Sequence, residues 1–298
     1  MTQPPDEGSS VRRDLPASIV VFLVALPLCL GVALASGAPI VSGLVAGIIG
    51  GLVVAPLSGS PLMVSGPAAG LTTVVALAIA KLGGFEPFLL ALVIAGALQL
   101  AFGAFKFGFI AAFFPSPVIK GMLAAIGLIL ILKQVPHALG YDADPEGDFA
   151  FRQLDHENTF SAFGELLGRV EPAAVLISVV GLVLLVLWER PALKALRVLP
   201  GPLVAVAMGL AINFVLAQVA PSLVLAGDHL VRLPGDGTPS GLLAELSLPR
   251  WSAITQPAVW TVAVTIALVA SLETLLSLEA TDKLDPWKRK SPADRELL

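Results

Sequence analysis

Ser58-Gly59-Ser60-Pro61-Leu62-Met63-Val64-Ser65-Gly66-Pro67-Ala68-Ala69-Gly70 interrupts a chain that is otherwise a succession of apolar runs. Glycine and proline break what would be a spanning helix here, leaving about 16 helical residues from Pro67 to Leu82. Proline favours the first turn of a helix, where its missing N–H costs nothing, so Pro67 marks a start. Ser65 is placed to cap that start, with the free N–H groups of the first turn directed into the membrane interior. Two readings fit the stretch. One is a half-helix whose positive dipole end faces an anion near the midplane, with protein or water covering the non-helical backbone. The other is an ordinary loop followed by a short helix.

Working outward, the runs on either side are long enough to cross a bilayer, which needs about 20 apolar residues per helix. Spans are predicted at 15–36, 40–57, 67–82, 86–104, 113–133, 172–189, 200–218 and 257–281. The first is too long for a signal peptide, whose apolar region runs about 7–15 residues, and seven more spans follow it. The expected fold class is therefore an all-α polytopic membrane protein with about eight transmembrane segments and a broken third span. Composition agrees: of 298 residues, 56% are hydrophobic and 13% charged, and the mean hydropathy is +0.88. Those values exclude a disordered chain. The single cysteine, Cys29, excludes a disulfide scaffold. With 18 Lys+Arg against 22 Asp+Glu and no basic stripe, nothing points to nucleic acid as a partner.

Lysine and arginine set the expected orientation. With the N-terminus inside, 11 of the 18 fall in the cytoplasm, among them Arg12, Arg13, Arg190, Lys194, Arg197 and Lys288-Arg289-Lys290. The two longest loops, 134–171 and 219–256, then lie outside, and both ends of the chain are cytoplasmic. Residues 1–14 read as a cytoplasmic tail, 15–281 as the transmembrane domain and 282–298 as a further cytoplasmic segment. Residues 157–169 form a candidate surface helix, and 234–241 read as turns.

Inside the membrane, Gly43, Gly47 and Gly51 repeat every four residues on one face of span two, which suits close helix packing. Glu273 lies deep in span eight. An intramembrane carboxylate is costly, so it is a functional candidate, suited to carrying a proton or pairing with a cation; a buried structural acceptor is the alternative. Ser277 is one turn on and shares its face. Glu279 is placed to pair with Lys283, four residues later. Gln99 and Asn213 read as interhelical glue, and Lys120 as a side chain that snorkels. His137, His156 and His229 are scattered, so no metal site is expected. No Ser/His/Asp, HExxH or phosphate-loop pattern suggests an enzyme, and no cofactor is implied.

Several of these stretches together resemble the SulP (sulfate permease) family of anion transporters. They are Asp14-Leu15-Pro16-Ala17, Ala25-Leu26-Pro27-Leu28, the run Gly43 to Gly51, Gly59-Ser60-Pro61 and Val64 to Ala69. Pro117-Val118-Ile119-Lys120-Gly121, Ser271-Leu272-Glu273-Thr274-Leu275-Leu276 and Asp282-Lys283-Leu284-Asp285-Pro286 strengthen the likeness. The resemblance implies two inverted seven-span repeats divided into a core and a gate, a homodimer in the cell's inner (plasma) membrane, and a STAS domain after the last span. It also implies an anion site at Ser65, Gly66, Pro67 and Ala68, and a coupling-ion site at Glu273 with Ser277. Sodium is implied where relatives carry aspartate, whereas glutamate leans towards a proton. Span one lacks the Gln and Tyr residues of plant and animal sulfate carriers around Pro27, which keeps bicarbonate beside sulfate as a candidate.

Against that plan the chain holds the first repeat and the first span of the second, an incomplete transport domain without the STAS domain. The expected function is secondary active transport of a small inorganic anion by alternating access, as a symport. The alternative is a membrane fragment or subunit that lacks the second half of the anion site and transports nothing alone.

Overall fold

The computed structural model describes residues 11–113, 116–141, 170–188, 190, 199–225, 227–230 and 245–297. Eight apolar helices follow one another among them. They are α1 (Val11–Ala35), α2 (Ile40–Leu57), α3 (Thr72–Leu82), α4 (Phe85–Ala104), α5 (Ser116–Ala138), α6 (Pro172–Trp188), α7 (Gly201–Val219) and α8 (Pro257–Leu284). A short turn, α9 (Ala293–Glu296), closes the described chain. The expected spans match these helices to within a few residues at most ends. The larger differences are that α1 begins at Val11, within the stretch read as tail, α3 begins at Thr72 rather than 67, α5 runs on to Ala138 rather than 133, and α8 runs on to Leu284. Residues 1–10, the candidate helix at 157–169 and the turns at 234–241 lie outside the described residues.

Among the described residues, α1, α2, α4, α7 and α8 are long and apolar enough to cross a bilayer, while α3 and α6 are shorter apolar helices. α7 buries none of its residues, yet leaves Leu210, Phe214 and Val219 largely exposed. Such a surface is stable only where the solvent is lipid. The chain is an all-α polytopic membrane protein.

The described residues divide into two compact units. One takes residues up to Pro27, residues 130–141, and α6 and α7 with their flanks. Within it α6 lies along α7, where Gly209 approaches Ile177 and Gly201 approaches Trp188. The Trp188 indole N–H donates to the Leu199 carbonyl at 3.2 Å. Asn213, expected to bridge helices, instead fastens a loop. Its amide donates to the Leu225 carbonyl at 3.2 Å and accepts from the Leu225 N–H at 3.0 Å. An amide offers both a donor and an acceptor, so one side chain satisfies both backbone groups of a single loop residue.

The other unit takes Leu28 to Ile129 and the chain from residue 245 onward. Its core joins α3, α4 and α8: Leu82, Phe88, Leu90, Ala91, Ala95, Val259, Val262, Ala263, Ile266 and Ala267 are all buried. Ala91/Ala95 on α4 and Ala263/Ala267 on α8 repeat every four residues and are fully buried, so the two backbones approach closely. These helices run in the same direction. At one end the Arg250 guanidinium, just ahead of α8, binds the Glu86 carboxylate in the first turn of α4 at 2.5 Å. Further along, Gln99 Nε2 donates to Ser271 Oγ at 3.4 Å, the interhelical bond expected of that amide.

Small residues also set the α1–α2 contact. A Cβ on Gly43 would strike the Cys29 carbonyl, and one on Gly47 would lie 2.9 Å from Cys29 Sγ. The expected third member of that face, Gly51, has open space around it instead. The reason is a π-helical stretch, Gly50–Val54, which shifts the register midway through α2. Gly50 now takes the close contact, against the carbonyl of Ser65.

α8 ends at Leu284, and the following residues fold back onto this unit rather than trailing away. Asp285 accepts hydrogen bonds from the backbone N–H of Trp287 (3.2 Å) and Arg289 (2.9 Å) and from Arg289 Nε (2.8 Å). Asp282 holds the N–H and hydroxyl of Ser291 at 2.9 and 2.7 Å. The expected Glu279–Lys283 pair forms at 3.7 Å.

Candidate functional site

The broken stretch is non-helical from Ser58 to Ala68, as its two prolines and two glycines dictate. A 3₁₀ turn at Ala69–Leu71 then leads into α3, its first bond running from the Leu71 N–H to the Ala68 carbonyl at 3.1 Å. Helix thus begins a little later than expected. Leu71 occupies the N-cap position of α3 without a side-chain cap, so Ser65 does not cap it. The 3₁₀ turn uses the first backbone groups itself, which removes the need for a hydroxyl.

α3 has 11 residues, and with its 3₁₀ turn it rises only about 22 Å, less than the hydrocarbon thickness of about 30 Å. Its far end is fixed by Gly83 and Gly84, with φ of 73° and 151°, which turn the chain directly into α4. Those dihedrals suit glycine, and the Gly83 and Gly84 N–H groups close the last turn on Ala80 and Ile79. α3 and its opening turn are therefore too short to cross a bilayer alone.

The opening turn meets Glu273 of α8. The backbone N–H of Gly70 donates to the Glu273 carboxylate. The approach is so close that a Cβ on Gly70 would lie 2.7 Å from Glu273 Oε1 and 3.3 Å from Cδ. Oε2 is buried and, among the described residues, has no hydrogen-bond partner. A carboxylate of a membrane span thus rests at the opening turn of a short helix, with one oxygen still able to take a proton or a cation.

Of the sequence-predicted residues, Glu273 is the one that the structure joins to the broken stretch, and the partner it finds there is Gly70. Ser65 is half-buried, its carbonyl against Gly50 of α2. Gly66 is exposed, with open space where a side chain would be. Pro67 and Ala68 are half-buried just ahead of the 3₁₀ turn. Ser277 follows Glu273 by one turn of α8, and its carbonyl accepts from the Thr281 hydroxyl at 2.8 Å. Gly70 and Gly50 are the positions that sequence reasoning passed over. The signal for Gly70 was its place at the end of the Gly/Pro-rich stretch. Gly50 carried none, since it falls outside the four-residue repeat until the π-helical stretch turns it inward.

The sequence signature of the Sulfate permease family matches residues 11–298. The chain belongs to the sulfate permease family. It is 30% identical over 290 residues to "Putative sulfate transporter YvdB" of Bacillus subtilis (strain 168), covering 96% of this chain and 50% of that protein. It is 28% identical over 295 residues to the Bicarbonate transporter BicA of Synechocystis sp. (strain ATCC 27184 / PCC 6803 / Kazusa), covering 97% of this chain and 48% of that one. Among solved structures, the transmembrane domain of a cyanobacterium bicarbonate transporter BicA is similar. The TM-score is 0.61 at 25% identity, over 98% of this chain and 70% of that domain. The chain thus spans about half the length of these curated family relatives.

Proposed function

We propose that this chain carries the first half of the anion site of a secondary active transporter for sulfate or bicarbonate, working by alternating access as a symport with a proton or sodium. The observation that carries the reading is the Glu273 carboxylate lying against the Gly70 N–H at the start of α3. The first-turn N–H groups of a half-helix attract an anion, and here a carboxylate of the protein already neutralises them. Two unit negative charges about 4 Å apart repel by about 4 kcal/mol at an effective dielectric near 20. A proton or sodium ion on Glu273 removes that repulsion, so the anion enters together with the coupling ion. Ser65, Gly66, Pro67 and Ala68 line the approach to the anion, and Ser277 assists Glu273 with the coupling ion. The family match and relatives named for sulfate and for bicarbonate support the substrate class. The distribution of lysine and arginine favours an inner-membrane protein with a cytoplasmic N-terminus, and the family likeness extends the proposal to a homodimer.

The decisive experiment is uptake of radiolabelled sulfate and bicarbonate into proteoliposomes, with and without sodium and a pH gradient. Glu273→Gln in the intact protein is expected to insert normally and to lose gradient-driven uptake. Unchanged pH- or sodium-dependent uptake in that variant would sink the proposal.

A further inference from the structure

We propose that the Asp294-Arg295-Glu296 turn is a clasp that positions the broken stretch ahead of α3, with Glu296 as the positioning residue; this rests on the reading of the site given above. Each of the three consecutive residues takes a different partner. The Glu296 carboxylate accepts from the Ser58 hydroxyl at 2.9 and 3.0 Å, and its Oε1 also accepts from the backbone N–H of Gly59 (2.5 Å) and Ser60 (3.1 Å). Arg295 Nε donates to the Leu57 carbonyl at 2.8 Å, one of the orphan carbonyls at the end of α2. Asp294 Oδ1 accepts from the Gly108 N–H at 2.8 Å, in the 3₁₀ segment Phe107–Phe113 beyond α4.

The receiving positions are shaped for this contact. A Cβ on Gly59 would lie 2.5 Å from Pro292 Cγ, and one on Gly108 would lie 2.5 Å from Asp294 Oδ1. Leu297, next along, is buried against Leu275 of α8, with Ile110 and Ala293 beside it. The residues between α8 and the clasp are held by Asp282 and Asp285, so the clasp is a braced extension of α8.

The broken stretch is therefore tied to α8 and its extension at both ends: at Gly70 through Glu273, and at residues 58–60 through Glu296. A segment without helical bonds of its own keeps its place by such attachments. Released at one end, it samples positions in which the Gly70 N–H no longer stands at Glu273. Apparent anion affinity then falls by the fraction of time the competent arrangement is lost. A positioning role thus predicts an effect on KM, with the rate at saturation preserved.

The test is Glu296→Ala in the intact protein in proteoliposomes, with uptake of radiolabelled sulfate and bicarbonate read beside backbone hydrogen exchange. Glu296→Ala is expected to raise KM about tenfold, to leave kcat within about twofold, and to speed exchange at Gly59 and Ser60. Glu296→Gln keeps an oxygen for all three donors and is expected to restore most of the affinity. Should the alanine variant fail to fold, Ser58→Ala removes one donor and is expected to move KM the same way by about threefold. Faster exchange with KM unmoved would make the clasp merely structural, and unchanged exchange would deny the contact; either overturns the proposal. Wild-type uptake that Glu273→Gln leaves untouched would sink the site reading and the positioning role with it, while the exchange result would still tell a real clasp from none.

Discussion

Gly70 and Glu273 divide the labour of the site between a residue with no side chain and one with a costly side chain. Glu273 stood out in the sequence because an acid inside an apolar run is expensive, and physics marks it without any partner in view. Gly70 did not stand out, since its role depends on a helix some two hundred residues away arriving within van der Waals distance. Gly70→Ala is therefore an informative change. The added methyl lies 2.7 Å from Glu273 Oε1, and the carboxylate must swing aside. Overpacking of this kind costs about 1–3 kcal/mol, so coupled uptake should fall by about tenfold or more with expression intact. Adding Glu273→Asp, which shortens the acid by one methylene, should recover part of the loss in the same uptake assay. Glu296 is the counter-example in legibility. In a run of alternating charges near the end of the sequence, it looks like any solvated side chain. Its three donors come from residues 58–60, whose position relative to it no local pattern encodes.

Most helix lengths were legible because an apolar run that crosses a bilayer must match its thickness, a constraint that acts on the sequence directly. α3, too short to do so, is an exception. Helix starts and internal register were less so. The 3₁₀ turn ahead of α3 and the π-helical stretch in α2 are backbone solutions that leave no side-chain signature. Two of the three glycines on the α2 face, Gly43 and Gly47, therefore meet α1 while Gly51 does not, and the difference can be measured. Gly43→Ala should lower the melting temperature in detergent, with about 1–3 kcal/mol lost, because the obstructing atom is a backbone carbonyl that cannot turn away. Gly51→Ala, with nothing nearby, should leave it unchanged or raise it slightly, as alanine is the better helix former.

The end of α8 makes a further prediction. Hydrogen bonds from the Arg289 guanidinium hold the Asp285 carboxyl down to about 2, against the opposing effect of burial, with the Arg289 and Trp287 N–H groups assisting. A carboxyl depressed in the folded state stabilises it above the unfolded value of about 3.9, and the contribution is lost as pH falls through the folded value. Amide protection at Trp287 and Arg289 should accordingly persist on acidification to about pH 3 and disappear near pH 2. Asp285→Asn should remove it at neutral pH.

At the scale of the molecule, the unit that carries the site is built on alanines where α4 and α8 meet and on leucine, isoleucine and phenylalanine around them. The sequence announced a membrane protein through its apolar excess, but membrane composition does not say which small residues face a neighbouring helix and which face lipid. Ala267→Leu tests that division. Ala267 is fully buried, so the larger side chain should force α4 and α8 apart and speed hydrogen exchange through residues 251–267, with α6 and α7 unaffected. The Gly83-Gly84 turn has a consequence for how deep the site lies. Because that turn pins one end of α3, the helix acts as a ruler, and the depth of Gly70 is counted out in residues from its base. One residue inserted into α3 would rotate the opening turn by about 100° and leave Glu273 facing the wrong side of the helix. Four would restore the facing but displace the opening by about 6 Å. Insertions into this helix should therefore be tolerated at no length.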